Sequence, residues 1–299
     1  MADHLTDGAA LARIRSSLLA WYAAEHRDFP WRHTADPYAV LVSEVMLQQT
    51  QAARIAERFP TFMARFPTAR ALADASETEV LAAWSGLGYN RRALALRRAA
   101  AVVATHGWPR DVAALERLTG IGPYTARAVA SLAFGESVGV VDTNVRRWLI
   151  RRFGLSLVAG ARELQTLADA LAAAGSAADA APWTHATMEF GAGICTSRSP
   201  HCQICPIAAG CPSFGTATAV PVPRQATFAG SDRAHRGALL RALAEADGNA
   251  VTALAARRLL PSEAFERIVA GLERDGLLHR SGRRLVLGGR AGTAATIEP

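Results

Sequence analysis

The spacing of apolar residues is helical along most of the chain. Leu11, Ile14 and Leu18 recur at intervals of three and four residues, which predicts an amphipathic helix with one buried face. From residue 37 to about residue 135, similar segments are separated by short turns such as "RFPT", "GLGYN" and "TGIGP". Alternating strand patterns are scarce there, so the sequence predicts an all-α fold.

Two further segments flank this region. "FPWRHTADPY" interrupts the helical period with two prolines, which predicts a loop. After residue 139, "VVDTNVRRWLIRRFG" places Asp142 where its side chain would cap a helix carrying Asn144, Arg146 and Arg147. A further helix is predicted over Leu164–Ala173.

The last seventy or so residues follow a different plan. Residues 217–230 are rich in Pro, Ala and Thr and are interpreted as a linker. Three helices are then predicted, and "LLHRSGRRLVL" alternates about a Ser-Gly turn as a hairpin does. The helices cover Arg233–Ala246, Val251–Leu259 and Ser262–Asp275. Three helices and a hairpin predict a small winged-helix-like module over residues 231–299; some such modules bind DNA and others only pack or bind protein.

Composition places the chain among globular proteins. It has 299 residues, of which 50% are hydrophobic, enough for a buried core and two or three domains. No run approaches the roughly 18 apolar residues of a membrane span, and the first residues lack a signal-peptide pattern. We therefore expect a cytoplasmic protein without membrane contact.

The charge favours a polyanionic partner. The formal net charge is +7 and the pI is about 10.0, as in many nucleic-acid-binding proteins. All 33 basic residues are arginine, and without a lysine amine no Schiff base can form on a side chain. Four arginines close in sequence are interpreted as a solvated face that adds diffuse attraction. They are Arg91, Arg92, Arg97 and Arg98.

All four cysteines lie in "CTSRSPHCQICPIAAGC", separated by six, two and five residues. Clustered thiolates in a reducing compartment usually bind metal, and both zinc and a 4Fe-4S cluster accept four cysteines. The ligands would be Cys195, Cys202, Cys205 and Cys211. Between the first two, Arg198 and His201 lie on a short loop suited to contact a phosphate backbone, although a solvated loop is also compatible with the pattern.

The stretch "LTGIGPYTA" predicts a tight turn that leads into a helix. Gly120 and Gly122 permit left-handed backbone angles and close approach of another chain, and Pro123 suits the first helical turn. Free amides at such a helix start can bind a phosphate. A Gly-x-Gly turn alone is more often simple geometry, but the basic charge and the cysteine cluster favour phosphate binding here.

Two carboxylates are candidates for acid-base chemistry. Glu44 lies in the apolar segment "SEVMLQQTQ", where burial would raise its pKa and keep a proton available near neutral pH. Asp142 lies at a helix start, where amide donors would keep it ionised. Such a pair suits cleavage of a glycosidic bond. Each carboxylate alone also fits an ordinary structural role, as a surface residue or a helix cap.

Taken together, the motifs resemble the helix-hairpin-helix DNA glycosylases, and among them the adenine DNA glycosylases of the MutY family. "FPWR", "SEVMLQQTQ", "GLGYNRRA", "LTGIGPYTA", "VVDTNVRR" and "MEFGAGICTSRSPHC" match in order across roughly residues 28 to 214. The resemblance implies a 4Fe-4S cluster rather than zinc. It also implies a six-helix barrel lobe (28–139) and an iron-sulfur cluster lobe (1–27 and 140–216), with double-stranded DNA held between them.

The same resemblance implies roles for the site residues. Glu44 would protonate adenine N7 and then activate water, while Asp142 would stabilise the oxocarbenium ion or trap it covalently. Asn144 would hold the carboxylates, and Tyr124 stands where bifunctional relatives carry a lysine. The substrate implied is adenine mispaired with 8-oxoguanine or guanine, flipped out of the duplex by a protein expected to be a monomer.

The remaining implied residues contact DNA. Gln48 and Gln49 would probe the mispair, and Tyr89 would act as a wedge beside the damaged guanine. Trp31 and Arg32 would line the mouth of the adenine pocket, and Gly120 and Gly122 would grip a phosphate.

The C-terminal segment differs from that of many family members. Three alternative functions also stay open. The C-terminal segment is too short for the Nudix-like domain that recognises 8-oxoguanine in those members. The alternatives are a thymine or uracil mismatch glycosylase, an enzyme like endonuclease III, and a non-catalytic DNA-binding protein. Glu44 argues against the first, and the absence of lysine argues against the second.

Overall fold

The structure is a computed structural model, and residues 7–216, 219–220 and 227–289 are described. Their helices are α1 (Gly8–Glu25), α2 (Pro37–Leu47), α3 (Ala52–Arg65), α4 (Ala69–Asp74), α5 (Glu77–Ala83), α6 (Arg91–His106), α7 (Val112–Glu116), α8 (Pro123–Phe134), α9 (Thr143–Phe153), α10 (Ala161–Ala173), α11 (Ala180–Gly193), α12 (Asp232–Glu245), α13 (Ala253–Arg257) and α14 (Ser262–Arg274). Short 3-10 turns cover Pro30–His33, Ala177–Asp179, Cys202–Ile204 and Asp247–Asn249. Within the described ranges, strands occur only near the C-terminus, which confirms the all-α prediction for the rest.

The chain divides into two compact units. Unit 1 comprises Met1–Glu44 and Trp108–Pro223, and unit 2 comprises Val45–Gly107 and Arg224–Pro299. This division differs from the predicted lobe boundaries, which stay a prediction. Most of the predicted linker, residues 217–230, lies outside the described residues.

The core of unit 1 forms where α1, α9, α10 and α11 bury their apolar faces. Leu11, Ile14 and Leu18 are buried, as their spacing predicts, and Trp148 and Phe190 pack edge to face with ring centroids 5.8 Å apart. Gly139 passes so close to α10 that a Cβ atom there would lie 2.4 Å from the Ala168 backbone. The chain between α8 and α9 therefore lies directly against α10, and any side chain at that position would push it away.

Unit 2 combines α3 to α6 with the C-terminal module. Phe62 packs edge to face against Phe66 and Trp84 at 5.1 and 5.7 Å between ring centroids. At its start, α5 has a capping box in which Ser76 and Glu79 each bond the other's backbone amide. The capping box therefore fixes where α5 begins.

The C-terminal module has winged-helix-like order. Strands β1 (Ala250–Thr252), β2 (Leu278–Ser281) and β3 (Arg284–Leu287) form an antiparallel sheet in the order β1-β3-β2. The hairpin is confirmed. The prediction of a helix over Val251–Leu259 is wrong at its start, because Val251 and Thr252 pair with β3 and the helix begins only at Ala253.

None of the described helices is long and apolar enough to cross a membrane.

Candidate active site

Glu44 is a buried carboxyl group near the end of α2. Glu44 is only 3% exposed, and its Oε2 atom has no hydrogen-bond partner among the described residues. Burial raises the pKa of Glu44 from 4.5 to about 7; a hydrogen bond with Tyr124 opposes this rise and the charge of Asp142 adds to it. A substantial protonated fraction is therefore present near neutral pH, as the sequence predicts.

Tyr124 links the two carboxylates electrostatically. It lies in the first turn of α8, and its hydroxyl hydrogen-bonds with Glu44 and lies 3.8 Å from Met188 Sδ. Burial raises the pKa of Tyr124 well above its usual range, and the charges of Glu44 and Asp142 raise it further. The phenol therefore stays protonated, and three groups from α2, α8 and the start of α9 act on one another within unit 1.

Asp142 caps α9 with both of its oxygens in use. Oδ1 accepts the Val145 backbone N–H at 2.6 Å, and Oδ2 accepts the Asn144 side-chain amide at 2.8 Å. The amide donors predicted from the sequence are present. Burial nevertheless raises the pKa of Asp142 above its ordinary value, against the lowering effect of these hydrogen bonds and of Arg147. The predicted donors thus favour the ionised form, but burial has the larger effect on the pKa of Asp142.

Arg147 holds Asn144 and the cysteine segment together. Its Nη2 donates to Asn144 Oδ1 at 2.9 Å, and its Nε donates to the Cys195 carbonyl at 2.8 Å. The same guanidinium donates to the Gly191 carbonyl. Gly191 lies against Asn144, where an added Cβ would be 2.8 Å from the backbone. A continuous set of hydrogen bonds thus runs from Asp142 to the first cysteine.

The loop "FPWR" brings a second charged group into unit 1. The Arg32 side chain is 9% exposed and pairs with Glu189 of α11 at 2.6 Å, while Trp31 is buried and stacks on Phe29 at 4.8 Å between ring centroids. Although burial raises the pKa of Glu189, hydrogen bonds from Arg27 and Arg32 hold it below its ordinary value.

Glu189 was not among the residues singled out from the sequence. It follows Met188, whose sulfur lies beside the Tyr124 hydroxyl. A carboxylate within the otherwise apolar stretch "MEFGAG" was the available signal, since a buried carboxylate requires a partner. Glu189 is indeed buried, with 4% of its surface exposed.

The glycine turn before α8 differs in one respect from the prediction. Gly120 has φ +80°, in the left-handed region, whereas Gly122 is extended at φ −93°. Both are exposed, an added Cβ at Gly122 meets nothing within 4 Å, and no side chain caps α8. Only Gly120 needs its glycine for backbone geometry, and the uncapped helix start leaves room for an anion.

The four cysteines line a single cavity in unit 1, together with Trp148 and Arg151. Among the described residues, no three metal-ligating side chains converge as they would around one ion. Four thiolates around one cavity are the ligand set that a 4Fe-4S cluster requires. Arg151 Nη1 lies 3.5 Å from Cys195 Sγ and supplies positive charge to such a group.

Arg151 also braces the loop between the first two cysteines. Its guanidinium donates to the carbonyls of Thr196 and Ser197 at 2.6 and 2.9 Å. Arg198 and His201, the residues predicted to contact phosphate, are exposed on this loop. Their positions are compatible with that prediction but assign no partner.

In unit 2, Gln48 and Gln49 follow the end of α2. Gln48 is half-buried, and Gln49 is exposed with a left-handed backbone at φ +55°. Tyr89 lies just before α6, is 39% exposed, and has φ +46°. A left-handed backbone at residues other than glycine costs about 1–3 kcal/mol and often marks functional positions.

The prediction that Arg92 belongs to a solvated face is wrong. Its Nη1 donates to the Val45 carbonyl at 2.8 Å and to the Gln48 carbonyl, and its Nη2 donates to the Gly88 carbonyl at 3.3 Å. Burial lowers the pKa of Arg92 to about 10. Arg97 donates to the Ala75 carbonyl at 2.6 Å, whereas Arg91 and Arg98 are exposed as predicted.

Comparison with known proteins decides the family. Residues 42–173 match the model of the HhH-GPD superfamily of base excision DNA repair proteins, and residues 195–211 match the iron-sulfur binding domain of endonuclease III. An adenine DNA glycosylase of Mycobacterium tuberculosis (strain ATCC 25618 / H37Rv) is 43% identical over 244 residues, covering 78% of this chain and 79% of that protein. The chain belongs to the adenine DNA glycosylase family.

Other relatives extend the comparison. The adenine DNA glycosylase of Homo sapiens is 41% identical over 221 residues, which cover 69% of this chain and 40% of that longer protein. A thymine/uracil-DNA glycosylase of Methanothermobacter thermautotrophicus is 34% identical over 197 residues, covering 64% of this chain and 88% of that protein. A solved thermostable thymine-DNA glycosylase superposes with a TM-score of 0.63 at 29% identity, covering 70% of this chain and 99% of that one.

A trapped endonuclease III–DNA intermediate shares the fold, with a TM-score of 0.57 at 22% identity over 67% of this chain and 93% of that one. These likenesses confirm the helix-hairpin-helix glycosylase fold and a base excision repair glycosylase. The iron-sulfur match confirms the predicted 4Fe-4S cofactor on the four cysteines. Since the family repairs DNA, DNA is the partner of this member.

Proposed function

We propose that this glycosylase hydrolyses the N-glycosidic bond of adenine mispaired with 8-oxoguanine or guanine in double-stranded DNA. The observation that carries the proposal is the group formed by Glu44, Tyr124 and Asp142. It combines a buried acid of pKa about 7 with a second carboxylate fixed by two amide donors. The relatives' names support adenine as the base released.

In the first step, Glu44 donates its proton to adenine N7. The purine then becomes a neutral leaving group, and the bond between N9 and C1′ breaks with its electron pair going to the base. The unpartnered Oε2 of Glu44 is free to face the flipped base. The flip costs a few kcal/mol and costs less at a mispair, which favours mispaired adenine.

Asp142 stabilises the positive charge that forms on the sugar. Its oxygens are held by Val145 and Asn144, so it does not need to reorganise as the oxocarbenium ion develops. Stabilisation as an ion pair and covalent trapping at C1′ are both compatible with this position. Deprotonated Glu44 then takes a proton from water, whose oxygen bonds to C1′ and completes the hydrolysis.

Tyr124 keeps the reaction monofunctional. Strand cleavage through a Schiff base requires an amine, and the chain has no lysine. Tyr124 instead orients Glu44 through the hydrogen bond between them. Base release without strand breakage is therefore expected.

The remaining residues bind DNA in this proposal. Gln48 and Gln49 probe the mispair, and Tyr89 enters the stack as a wedge. Trp31 and Arg32, the latter fixed by Glu189, border the adenine pocket. The start of α8 at Gly120 and Gly122 binds a phosphate, and exposed Arg198 and His201 contact the backbone.

The four cysteines would hold the 4Fe-4S cluster, which would stabilise the local fold of this segment without taking part in base release. Arg147 and Arg151 connect its protein loop to α9. A monomer in the cytoplasm stays the prediction made from the sequence.

The test is an assay on three duplexes that carry A opposite 8-oxoguanine, A opposite G, and T opposite G. We expect adenine release from the first two, with strand breaks only after alkali. Release of thymine from the third would favour the second candidate, a thymine glycosylase, which the relative with that name supports. Breaks without alkali would contradict the monofunctional mechanism.

A further inference from the structure

The C-terminal module lies directly against helix α5 of unit 2. Thr78 Oγ1 donates to the Leu287 carbonyl at 2.9 Å, and the Gly289 N–H donates to Glu77 at 3.2 Å. Gly288 has φ +91°, and an added Cβ there would lie 2.9 Å from Thr78 Oγ1. The end of β3 thus contacts the first turn of α5 so closely that no side chain fits between them.

A second contact joins the module to the start of α6. Asp275, after α14, lies 3.7 Å from Arg91 and is also paired with Arg236 of α12. These two contacts place the first turn of α12 near the loop that carries Tyr89, which we name the Tyr89 loop (residues 84–90).

Tyr89 is contacted by two arginines from different parts of unit 2. The guanidinium of Arg92 lies 5.2 Å from the centre of its ring, and that of Arg233 lies 5.9 Å from it. Arg233 Nη1 also donates a hydrogen bond to the Tyr89 hydroxyl at 2.9 Å. The guanidinium of Arg233 also lies 5.2 Å from the centre of the Phe228 ring. An exposed tyrosine with a left-handed backbone is therefore held in one orientation.

The third helix of the module, α14, lacks the basic surface expected of a recognition helix that enters a DNA groove. Its exposed residues include Glu263 and Glu266 as well as Arg267 and Arg274, and Arg267 is paired with Asp232. A face of mixed and paired charge attracts phosphates only weakly. Glu266 is paired with both Arg257 and Arg280 at 2.8 Å, so these arginines are already neutralised. The module contacts Tyr89 through Arg233, which lies on α12.

We propose that Arg233 is a positioning residue for Tyr89, and that the module acts on DNA recognition by holding this side chain ready for the mispair. The inference rests on the proposed function in that Tyr89 contacts DNA. Ordering a side chain before binding removes an entropic cost that would otherwise weaken the complex. The bond donated by Arg233 supplies that order at the tyrosine's exposed end.

A double-mutant cycle tests this inference with Arg233→Met, Tyr89→Phe and the combined variant. Binding is measured on a duplex that carries 2′-fluoro-2′-deoxyadenosine opposite 8-oxoguanine, which resists hydrolysis. We expect each single variant to bind about fivefold more weakly, and the combined variant to bind no more weakly than either, because both changes remove the same hydrogen bond. The salt dependence of binding should stay that of the unmodified protein.

Arg241→Met is the matched control, since Arg241 is an exposed arginine two turns further along α12. It should bind as the unmodified protein does. Additive losses with a salt slope lower by about one would mean that Arg233 contacts a phosphate directly, and would overturn the inference. Unchanged or tighter binding of Arg233→Met would also overturn it.

The two proposals fail separately. If the unmodified protein binds the mispair but releases no adenine, the proposed function fails while the cycle still reports whether Arg233 acts through Tyr89. If adenine is released and the cycle shows no coupling, only the inference about Arg233 fails.

Discussion

The catalytic group of unit 1 and the Tyr89 loop of unit 2 are stabilised in opposite ways. Glu44 is buried and its Oε2 atom is left without a partner, so its reactivity comes from the exclusion of water. Tyr89 is exposed and its orientation comes from two arginines. The chemistry therefore depends on burial, whereas recognition depends on contacts at the surface.

We therefore expect the two regions to affect different steps. Changes in the catalytic group should alter the rate of base release more than DNA binding, and changes around the Tyr89 loop should do the reverse.

The largest effect is expected for Glu44→Gln. The amide keeps the size of the side chain but has no acidic proton to transfer to the base, so adenine release should slow by about a thousandfold. Single-turnover kinetics with a mispaired duplex measure it. In the unmodified protein, release should fall as pH rises through about 7, because the protonated acid is lost.

The control is binding of the 2′-fluoro duplex, which should change little in Glu44→Gln. Equal losses in binding and in rate would contradict the separation of the two regions, since Glu44 would then contribute to holding DNA. A rate independent of pH between 6 and 8 would exclude Glu44 as the acid, a window chosen around its pKa of about 7.

The next effect concerns stability. Arg147→Met removes the donor to Asn144 and to the Gly191 and Cys195 carbonyls, and should lower the free energy of unfolding by about 3 kcal/mol. Base release should also slow, because Arg147 no longer fixes Asn144, whose side-chain amide holds Asp142. Thermal unfolding and single-turnover rates measure both.

Arg146→Met is the control for that change. Arg146 is the preceding residue of α9 and donates to the Leu157 carbonyl at an exposed position, so little should change. A stable Arg147→Met protein with a full rate would show that Asn144 and Val145 hold Asp142 without help from Arg147.

Burial of Glu44 should also make stability depend on pH. Its pKa rises from 4.5 to about 7 on folding, so the folded state binds the proton more tightly and stability is lost as pH rises between those values. Above pH 7 the full cost is about 3 kcal/mol. Glu44→Gln should therefore be more stable than the unmodified protein at pH 8 by up to about that amount, and similar to it at pH 4.5.

Thermal unfolding of both proteins at the two pH values checks this prediction. A difference in stability that is the same at both pH values would show that packing of the amide, rather than ionisation of the acid, distinguishes the proteins.

The smallest effect is expected around the Tyr89 loop. Arg92→Met removes the donor to the Val45, Gln48 and Gly88 carbonyls and should weaken binding of the mispaired duplex about fivefold. The rate of base release at saturating protein should be nearly unchanged. Arg98→Met, an exposed change on the same helix, is the control. A lower rate with unchanged binding would contradict the assignment of this loop to recognition.

Several features could be predicted from local sequence because local geometry produces them. The cap at Asp142 needs only a short polar side chain three residues before a free amide, and the hairpin of the module needs only alternation about Ser281 and Gly282. The segment from Val251 was misassigned because pairing with β3, a contact distant in sequence, outweighs helix propensity there.

The partners of long charged side chains were harder to predict than the helix cap and the hairpin. The sequence predicts a solvated face for Arg92 because neighbouring arginines on a helix look alike in sequence. In the structure, Arg92 donates to the carbonyls of Val45 and Gln48, whereas the adjacent Arg91 is exposed. Glu189 was overlooked because its partners Arg27 and Arg32 lie about 160 residues away. Long side chains take partners that only the folded chain brings within reach.

The sequence by itself determined the chemistry available to this protein: a lysine-free chain, four clustered thiols, two candidate carboxylates and the family motifs. Tertiary structure alone decided that burial raises the pKa of Asp142 despite its amide donors, and which arginine holds Tyr89. The physical reason is that pKa and side-chain orientation depend on desolvation and on partners distant in the chain, and neither is encoded in a short stretch of residues.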